Sequence, residues 1–217
     1  DNWSFAGQKV TLNLAGATNF ENLEGNNTNN ELEGNAGNNL LLGGDGEDIL
    51  TGFAGDDQLI GDYRGYQYSS FDIDSFLSAQ NYRGLANSLR GDEYSIFADR
   101  LLGGDGNDFL AGMAGDDHLD GGSGDDIFVG GMGADLFIID NEVSGQVDSK
   151  GDFILDFTAD ADVIVLPEGV AYSDLTIDSQ TNNYGQYGDK DDTTISYNNS
   201  LLATLYDFSS NSLSAVD

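Results

Sequence analysis

Cysteine is absent from this chain, and histidine and proline each occur once. Without thiols there is neither a disulfide framework nor a thiolate metal site. A single imidazole, His118, nearly excludes zinc sites built on histidine and leaves little room for a Ser-His-Asp triad. Cations are scarce as well: 7 Lys and Arg stand against 39 Asp and Glu, for a formal net charge of -32. Nucleic acid is therefore excluded as a partner, because phosphate contacts need basic side chains. No apolar run approaches the ~18 residues of a membrane helix. Asp1 does not open a signal peptide, and the missing initiator Met suggests a processed chain or an excised fragment.

What remains is acidic but not featureless. Hydrophobic residues make up 39% of the 217, with 12 Phe and 10 Tyr, which argues against a disordered acidic tail. A compact fold with this much negative charge repels itself, so counter-cations are expected to belong to the folded state.

The organising unit is nine residues long. It reads Gly43-Gly44-Asp45-Gly46-Glu47-Asp48-Ile49-Leu50-Thr51 and returns at Gly52, Gly103, Gly112, Gly121 and Gly130. Asp stands sixth in each copy (Asp48, Asp57, Asp108, Asp117, Asp126, Asp135), and an apolar residue stands eighth (Leu50, Leu59, Leu110, Leu119, Phe128, Phe137). The first six residues read as a Gly-rich turn with one carboxylate, and the last three as a short strand. So short a strand buries too little alone; stacked at a fixed period, the eighth residues form a continuous ladder. Turn chemistry alone favours Asp and Gly, but it does not produce copies in register.

The beat begins before the acidic turns. Gly7, Gly16, Gly25 and Gly34 are nine apart, as are Leu14, Leu23, Leu32 and Leu41, while the sixth position holds Leu12, Glu21, Asn30 and Asn39. These are read as metal-free turns closed by Asn side chains, with Trp3 and Phe5 covering the open end. A copy starting at Gly61-Asp62-Tyr63 breaks off, and counting back from Gly103 places Asp99 sixth and Leu101 eighth. Residues 61–102 are thus one repeat split by about 33 extra residues. The insertion, 64–96, holds Arg64, Arg83 and Arg90 and a set of aromatics including Tyr66, Tyr68 and Tyr82. Within it, residues 75–90 fit a helix capped by Asp74 and ended by Gly91. Asp72 and Asp74 read as a helix cap and solvated charge rather than a glycosidic pair.

After Ile139 the beat stops. Strand-like runs occur at 153–157, 163–166, 193–197 and 201–208, with Asn198-Asn199-Ser200 as a hairpin turn and 182–192 as a loop. The expected organisation is a roll over 1–63 and 97–138 and a β-rich cap over 139–217. His118, seventh in its repeat, is expected on the solvated outer face.

Crowded backbone carbonyls and one carboxylate per turn are hard oxygen donors, which suit Ca2+ and its six to eight ligands better than the small octahedron of Mg2+. No soft ligand is available for a transition metal.

These nonapeptides resemble the RTX, or haemolysin-type, calcium-binding repeat. The segment Asp152-Phe153-Ile154-Leu155-Asp156-Phe157, with Asp160 and Asp162-Val163-Ile164-Val165-Leu166, is similar to the stretch after the repeats in serralysin-type domains and alginate-epimerase R-modules. The resemblance implies an all-β fold: a right-handed parallel β-roll with a C-terminal β cap, interrupted here by one small helical insertion. It implies that same-side turns, two repeats apart, share ions through sixth-position Asp side chains. The implied pairs are Asp48 with Asp99, Asp99 with Asp117, Asp117 with Asp135, Asp57 with Asp108, and Asp108 with Asp126. Backbone carbonyls would come from Gly44, Gly46, Gly104, Gly106, Gly115, Gly122, Gly124, Gly131 and Gly133. About five Ca2+ are expected, within a range of four to seven, and a weaker site between Asn39 and Asp57. Phe53 and Met113 depart from the second Gly, and Gln58 and Ala134 fall at variable positions. The family implies a non-enzymatic module of a larger, type I-secreted protein that folds on calcium outside the cell or at its surface. The competing expectation is recognition of a polysaccharide or cell surface through Tyr66, Tyr68, Tyr82 and Arg83.

Overall fold

The computed structural model describes residues 11–13, 22–62, 96–139, 151–182, 190–206, 208 and 213. Trp3, Phe5, the helix expected at 75–90, Asp72, Asp74, and the contacts expected of Tyr66, Tyr68, Tyr82 and Arg83 lie outside these residues.

The strands in chain order are β1 (Thr11–Asn13), β2 (Asn22–Glu24), β3 (Glu31–Glu33), β4 (Leu40–Gly44), β5 (Ile49–Ala54), β6 (Gln58–Asp62), β7 (Arg100–Asp105) and β8 (Phe109–Ala114). They continue as β9 (His118–Ser123), β10 (Ile127–Met132), β11 (Leu136–Ile138), β12 (Asp152–Ile154), β13 (Val163–Val165), β14 (Leu175–Asn182), β15 (Lys190–Tyr197) and β16 (Ser200–Leu205). Odd-numbered strands from β1 to β13 form one sheet, and even-numbered strands from β2 to β12 lie in a second. From β1 to β11 each strand pairs in parallel with the strand two ahead of it. The chain therefore winds between two sheets, two repeats to a turn, as a parallel β-roll.

The period places the core. Leu23, Leu32, Leu41, Leu50, Leu59, Leu101, Leu110, Leu119, Phe128 and Phe137 are all buried in one cluster between the sheets. Fully burying such a side chain stabilises by roughly 1.5–3 kcal/mol, so no single turn holds itself and the stack does. Phe128 and Phe137 meet edge to face, with ring centroids 6.0 Å apart. Neighbouring residues point the opposite way along a strand. On that outer side of the β2–β12 sheet, Leu42, Ile60, Phe109, Ala111, Val129 and Leu155 form a second buried cluster with Met113.

Four expectations need correction. The strands are longer than the three residues of the motif: β5, β7, β8, β9 and β10 each span six, running on through the first two positions of the next turn. Ladder pairing survives there because Gly104 lies beside Phe53 and Gly122 beside Gly104 without side chains to separate the backbones. The N-terminal beat is offset: Leu12, not Leu14, registers with Leu32, so two residues more than the usual interval separate β1 from β3. The roll does not end at residue 138. β12 stacks on β10 and β13 on β11, with Ile154 and Ile164 beside Phe128 and Phe137. The stretch 182–192 is not a loop throughout, since Asn182 and Lys190 pair as strand residues.

The C-terminal cap is an antiparallel meander, β14-β15-β16, joined edge-on to β12 through β16. The turn between β15 and β16 places Asn198 and Asn199 at φ 51 and 65, left-handed values that Asn tolerates. Phe157 and Phe208 stack edge to face at 5.1 Å and close the core at that end.

Candidate metal centre

The turns between the sheets fall into two files. One contains Asp48, Asp99, Asp117 and Asp135, the other Asp57, Asp108 and Asp126, and every one of these Asp residues is buried. Their placement is built by the backbone. In the first file the Asp48 amide donates to Asp99 Oδ1 (2.7 Å), the Asp99 amide to Asp117 Oδ1 (2.8 Å), and the Asp117 amide to Asp135 Oδ1 (3.0 Å). In the second, Asp57 donates to Asp108 Oδ1 (2.7 Å) and Asp108 to Asp126 Oδ1 (2.8 Å). The pairs expected from the repeat are thus the pairs brought together, including both that use Asp99 across the insertion.

Only one oxygen of each carboxylate is used in this way. Oδ2 of Asp48, Asp57, Asp99, Asp108, Asp117 and Asp135 is buried without a hydrogen-bond partner among the described residues. Each lies against the first Gly of its own turn, where an added Cβ would collide with it. Carbonyl oxygens enter the same gaps. The carbonyls of Gly61, Gly103 and Gly121 approach 2.6, 2.7 and 2.5 Å from where a Cβ on Gly43, Gly52 and Gly103 would stand. Carbonyls of Phe53, Gly104 and Met113 face the second Gly of the next turn, and those of Gly55, Phe97, Gly106 and Gly115 face the fourth. Gly is required here for two reasons: there is no room, and the second and fourth positions take φ between 89 and 146. Phe53 and Met113 hold that backbone with side chains, at φ 84 and 88.

Oxygen crowding without a cation is costly, and the carboxyl groups register it. Burial, with smaller contributions from neighbouring carboxylates, pushes Asp99 up to about 10, Asp135 to about 8, Asp48, Asp108 and Asp117 to about 7, and Asp57 to about 6. Hydrogen bonds from backbone amides act against that rise without cancelling it. Among the described residues no three acidic or imidazole side chains converge on a point. The gaps are instead lined by two carboxylates and several carbonyls each, an all-oxygen set that fits a large, flexible cation.

The structure adds residues that sequence reasoning passed over. Asp152 takes the sixth position after Asp126, accepting its amide hydrogen bond at 3.1 Å, and Asp162 does the same for Asp135 at 3.0 Å. Asp162 Oδ2 also accepts from the Thr158 amide in its own turn at 2.7 Å. The signal was legible: Asp152 and Asp162 stand two before inward apolar residues, as Asp48 does before Leu50. Exposed fifth positions are linked on both sides of the roll: Asn38, Asp56 and Asn107 in one file and Asp116 in the other accept amide hydrogen bonds from the fifth residue of the next turn. His118 is half-buried between Arg100 and Leu136, not fully solvated, and burial, aided by Arg100, lowers its pKa.

Stacked turns with paired, half-satisfied carboxylates define a calcium-binding parallel β-roll. The family model of the RTX calcium-binding nonapeptide repeat matches residues 24–59 and 102–137, four copies in all. This chain carries RTX calcium-binding repeats. No curated protein matches it. Among solved structures it is similar to the extracellular lipase LipA from Serratia marcescens at 17% identity and a TM-score of 0.36. That likeness covers 86% of this chain and 39% of the lipase chain, so the chain spans well under half of that protein. No helix among the described residues is long and apolar enough to cross a membrane.

Proposed function

We propose that this chain is a calcium-dependent folding module of a larger secreted or cell-surface protein, with a structural rather than catalytic role. The observation that carries the reading is the row of buried, unpartnered Oδ2 atoms in the acidic turns, set among carbonyls of the adjoining turns. An array of buried carboxylates with one lone oxygen each is unstable as a set of charges and stable once a divalent cation is shared between neighbours.

The residues assigned to hold the ions are Asp48, Asp57, Asp99, Asp108, Asp117, Asp126 and Asp135, with carbonyls at the Gly positions between them. Bound Ca2+ would supply two positive charges and accept six to eight oxygens. The chain's own part is to hold these oxygens at fixed spacing: Oδ1 is tied to the backbone of the preceding turn, which leaves Oδ2 directed at the gap. Five intervals lie between the paired acidic turns, and Asp152 supports one more beyond Asp126. Such a stack would stay open where calcium is scarce and close at the millimolar calcium found outside cells, which supports folding after export by type I secretion. The carbohydrate-recognition alternative has no observation behind it among the described residues.

Circular dichroism in chelator and in millimolar Ca2+ tests the reading. Strand signal is expected to appear with calcium and to be lost on chelation, since binding to the folded state alone is folding free energy. Superimposable spectra under both conditions would sink it.

A further inference from the structure

The two sheets of the roll turn different faces outward. In each repeat the eighth residue points into the core, so the seventh and ninth point away from it. On the odd-numbered strands these positions hold Glu31, Glu33, Ile49, Arg100, His118 and Asp120, and Ile49 is 42% exposed. In the repeats that supply β4, β6, β8, β10 and β12, every seventh and ninth residue is apolar except Gln58. Here Ala111 and Val129 are wholly buried, and Leu42, Ile60, Phe109 and Leu155 nearly so. A sheet face of this kind must be buried against another element. Yet every member of the outer cluster lies in the sheet itself or within one residue of its strands, so among the described residues no second apolar layer packs on it.

Connectivity, length, pattern and charge single out the insertion, 64–96, as the covering element. The chain enters it from Asp62, at the end of β6, a strand inside the patch. Alternation turns Asp62 to the same outer face as Ile60, and it is buried there. Within the insertion, Tyr82, Leu85, Ala86 and Leu89 share one stripe of the helical pattern at 75–90. As a helix that stretch would measure roughly 24 Å. The strands from β12 to β4 are consecutive neighbours and span about 19 Å across the sheet. Charge agrees with length. Asp192 on β15, on the side opposite to Ile195, is a second buried acid on this outer face. Buried carboxylates call for cations, and Arg83 and Arg90 lie along one flank of the apolar stripe. The stretches 140–150 and 183–189, which also adjoin this sheet, are short and mostly polar.

We propose that the outer face of the β2–β12 sheet is the seat of the chain's own insertion, with the Tyr82–Leu89 stripe laid across β4 to β12 and the flanking arginines serving the buried acids. The insertion is then a second layer of the roll rather than a free arm. Burial of its apolar stripe offsets the chain entropy of closing so long a loop. The inference goes beyond the calcium-module reading and does not draw on it, because strand pairing builds this face and the acidic turns do not.

The chain has no cysteine, so single introduced thiols report exposure. Maleimide labelling is measured in saturating calcium on Ala111→Cys, beneath the proposed contact, and on Ile49→Cys, on the opposite sheet. Ala111→Cys is expected to react about tenfold more slowly or less, as a site reached only by local opening does. Adding Leu85→Ser and Leu89→Ser should bring it to the Ile49→Cys rate while the strand signal in circular dichroism is kept. Replacing 64–95 with a short Gly-Ser linker should do the same. A thiol at position 111 that reacts freely in the full chain, or that stays protected in either folded variant, overturns the proposal. Protection that is lost on dilution of the full chain assigns the face to a second copy and overturns it as well. Should both variants fail to fold, proximity decides in the full chain. Gln58→Cys and Arg83→Cys are expected to be joined within one chain by a bis-maleimide, and absence of that product overturns the proposal. A chain that behaves as expected but takes up no calcium removes the module reading and leaves this one standing.

Discussion

The turns at the two ends of the roll and those in its middle share one backbone path but close it by different means. At the beginning, Asn30 and Asn39 accept hydrogen bonds from the amides of Asn26 and Asn35 in their own turns, at 2.6 and 2.7 Å. At the other end, Asp162 accepts from Thr158 in the same way. In the middle, Oδ2 of Asp48, Asp99, Asp117 and Asp135 has no such donor among the described residues. The Asn30 side-chain oxygen sits against Gly25 where the Asp48 oxygen sits against Gly43. An oxygen in that position is therefore a property of the turn; whether it is satisfied from within depends on the residues around it. These turns satisfy that oxygen from within while their other hydrogen bonds still tie them to the stack. The middle turns are left one positive partner short, and a buried charge without a partner is expensive.

That contrast predicts a graded set of responses. The largest belongs to Asp99, the only acid that serves two intervals while also returning the chain to register after the insertion. Asp99→Ala should lower calcium stoichiometry by about two and, with free calcium about a hundredfold above Kd, cost about 5 kcal/mol of folding stability. Unchanged stoichiometry by calorimetry would break the two-file pairing.

Next is the effect of pH on the calcium-free chain. The ordinary carboxyl value of 3.8 is raised in the folded state to about 7 at Asp48, about 8 at Asp135 and about 10 at Asp99. A group that holds its proton more tightly when folded stabilises below its unfolded value and loses that contribution as pH climbs through the folded one. In chelator, strand signal should thus be greater at pH 5, where the buried carboxyl groups can carry protons, than at pH 8. With calcium the order reverses, because the ions displace those protons. Calcium-free strand signal that rises with pH would contradict the lone-oxygen picture.

A smaller effect sharpens the boundary between the two kinds of turn. Asn39 already donates its amide to Asp57 Oδ1 at 2.7 Å. Asn39→Asp adds the missing charge and should add about one bound Ca2+, the hard-oxygen set then being complete. No gain in stoichiometry would mean that the Asn turns lack more than charge.

The smallest concerns Phe53, which holds a left-handed φ of 84 with its side chain 49% exposed. Relief of about 1–2 kcal/mol of strain, less Gly's greater flexibility when unfolded, should make Phe53→Gly neutral to stabilising by about 1 kcal/mol in denaturant titrations with calcium. Gly104→Ala, whose Cβ would press on the Phe53 carbonyl, should move the other way.

Much of this was legible in sequence because a stack of repeats converts period directly into contact. Leu50 and Leu101 are neighbours despite the insertion because counting back from Gly103 identified Leu101 as the eighth residue, and the ladder pairs them. Asp99 was found by the same count. Asp152 and Asp162 were overlooked because the glycines that announce a turn are missing there, although the Asp-x-Ile spacing persists. The register at Leu12 was misplaced because spacing alone does not reveal two additional residues.

Composition and period by themselves determined the opening facts: no soft ligand, a surplus of carboxylates, an inward ladder every nine residues and a sixth-position acid in register with it. Those are consequences of local spacing, which a one-dimensional stack preserves. Only the tertiary structure decided which oxygen of each carboxylate is already used and which is left over. It also decided that the roll runs on through β12 and β13. Each of these depends on what the next turn places opposite, and that neighbour is between 18 and 51 residues away along the chain.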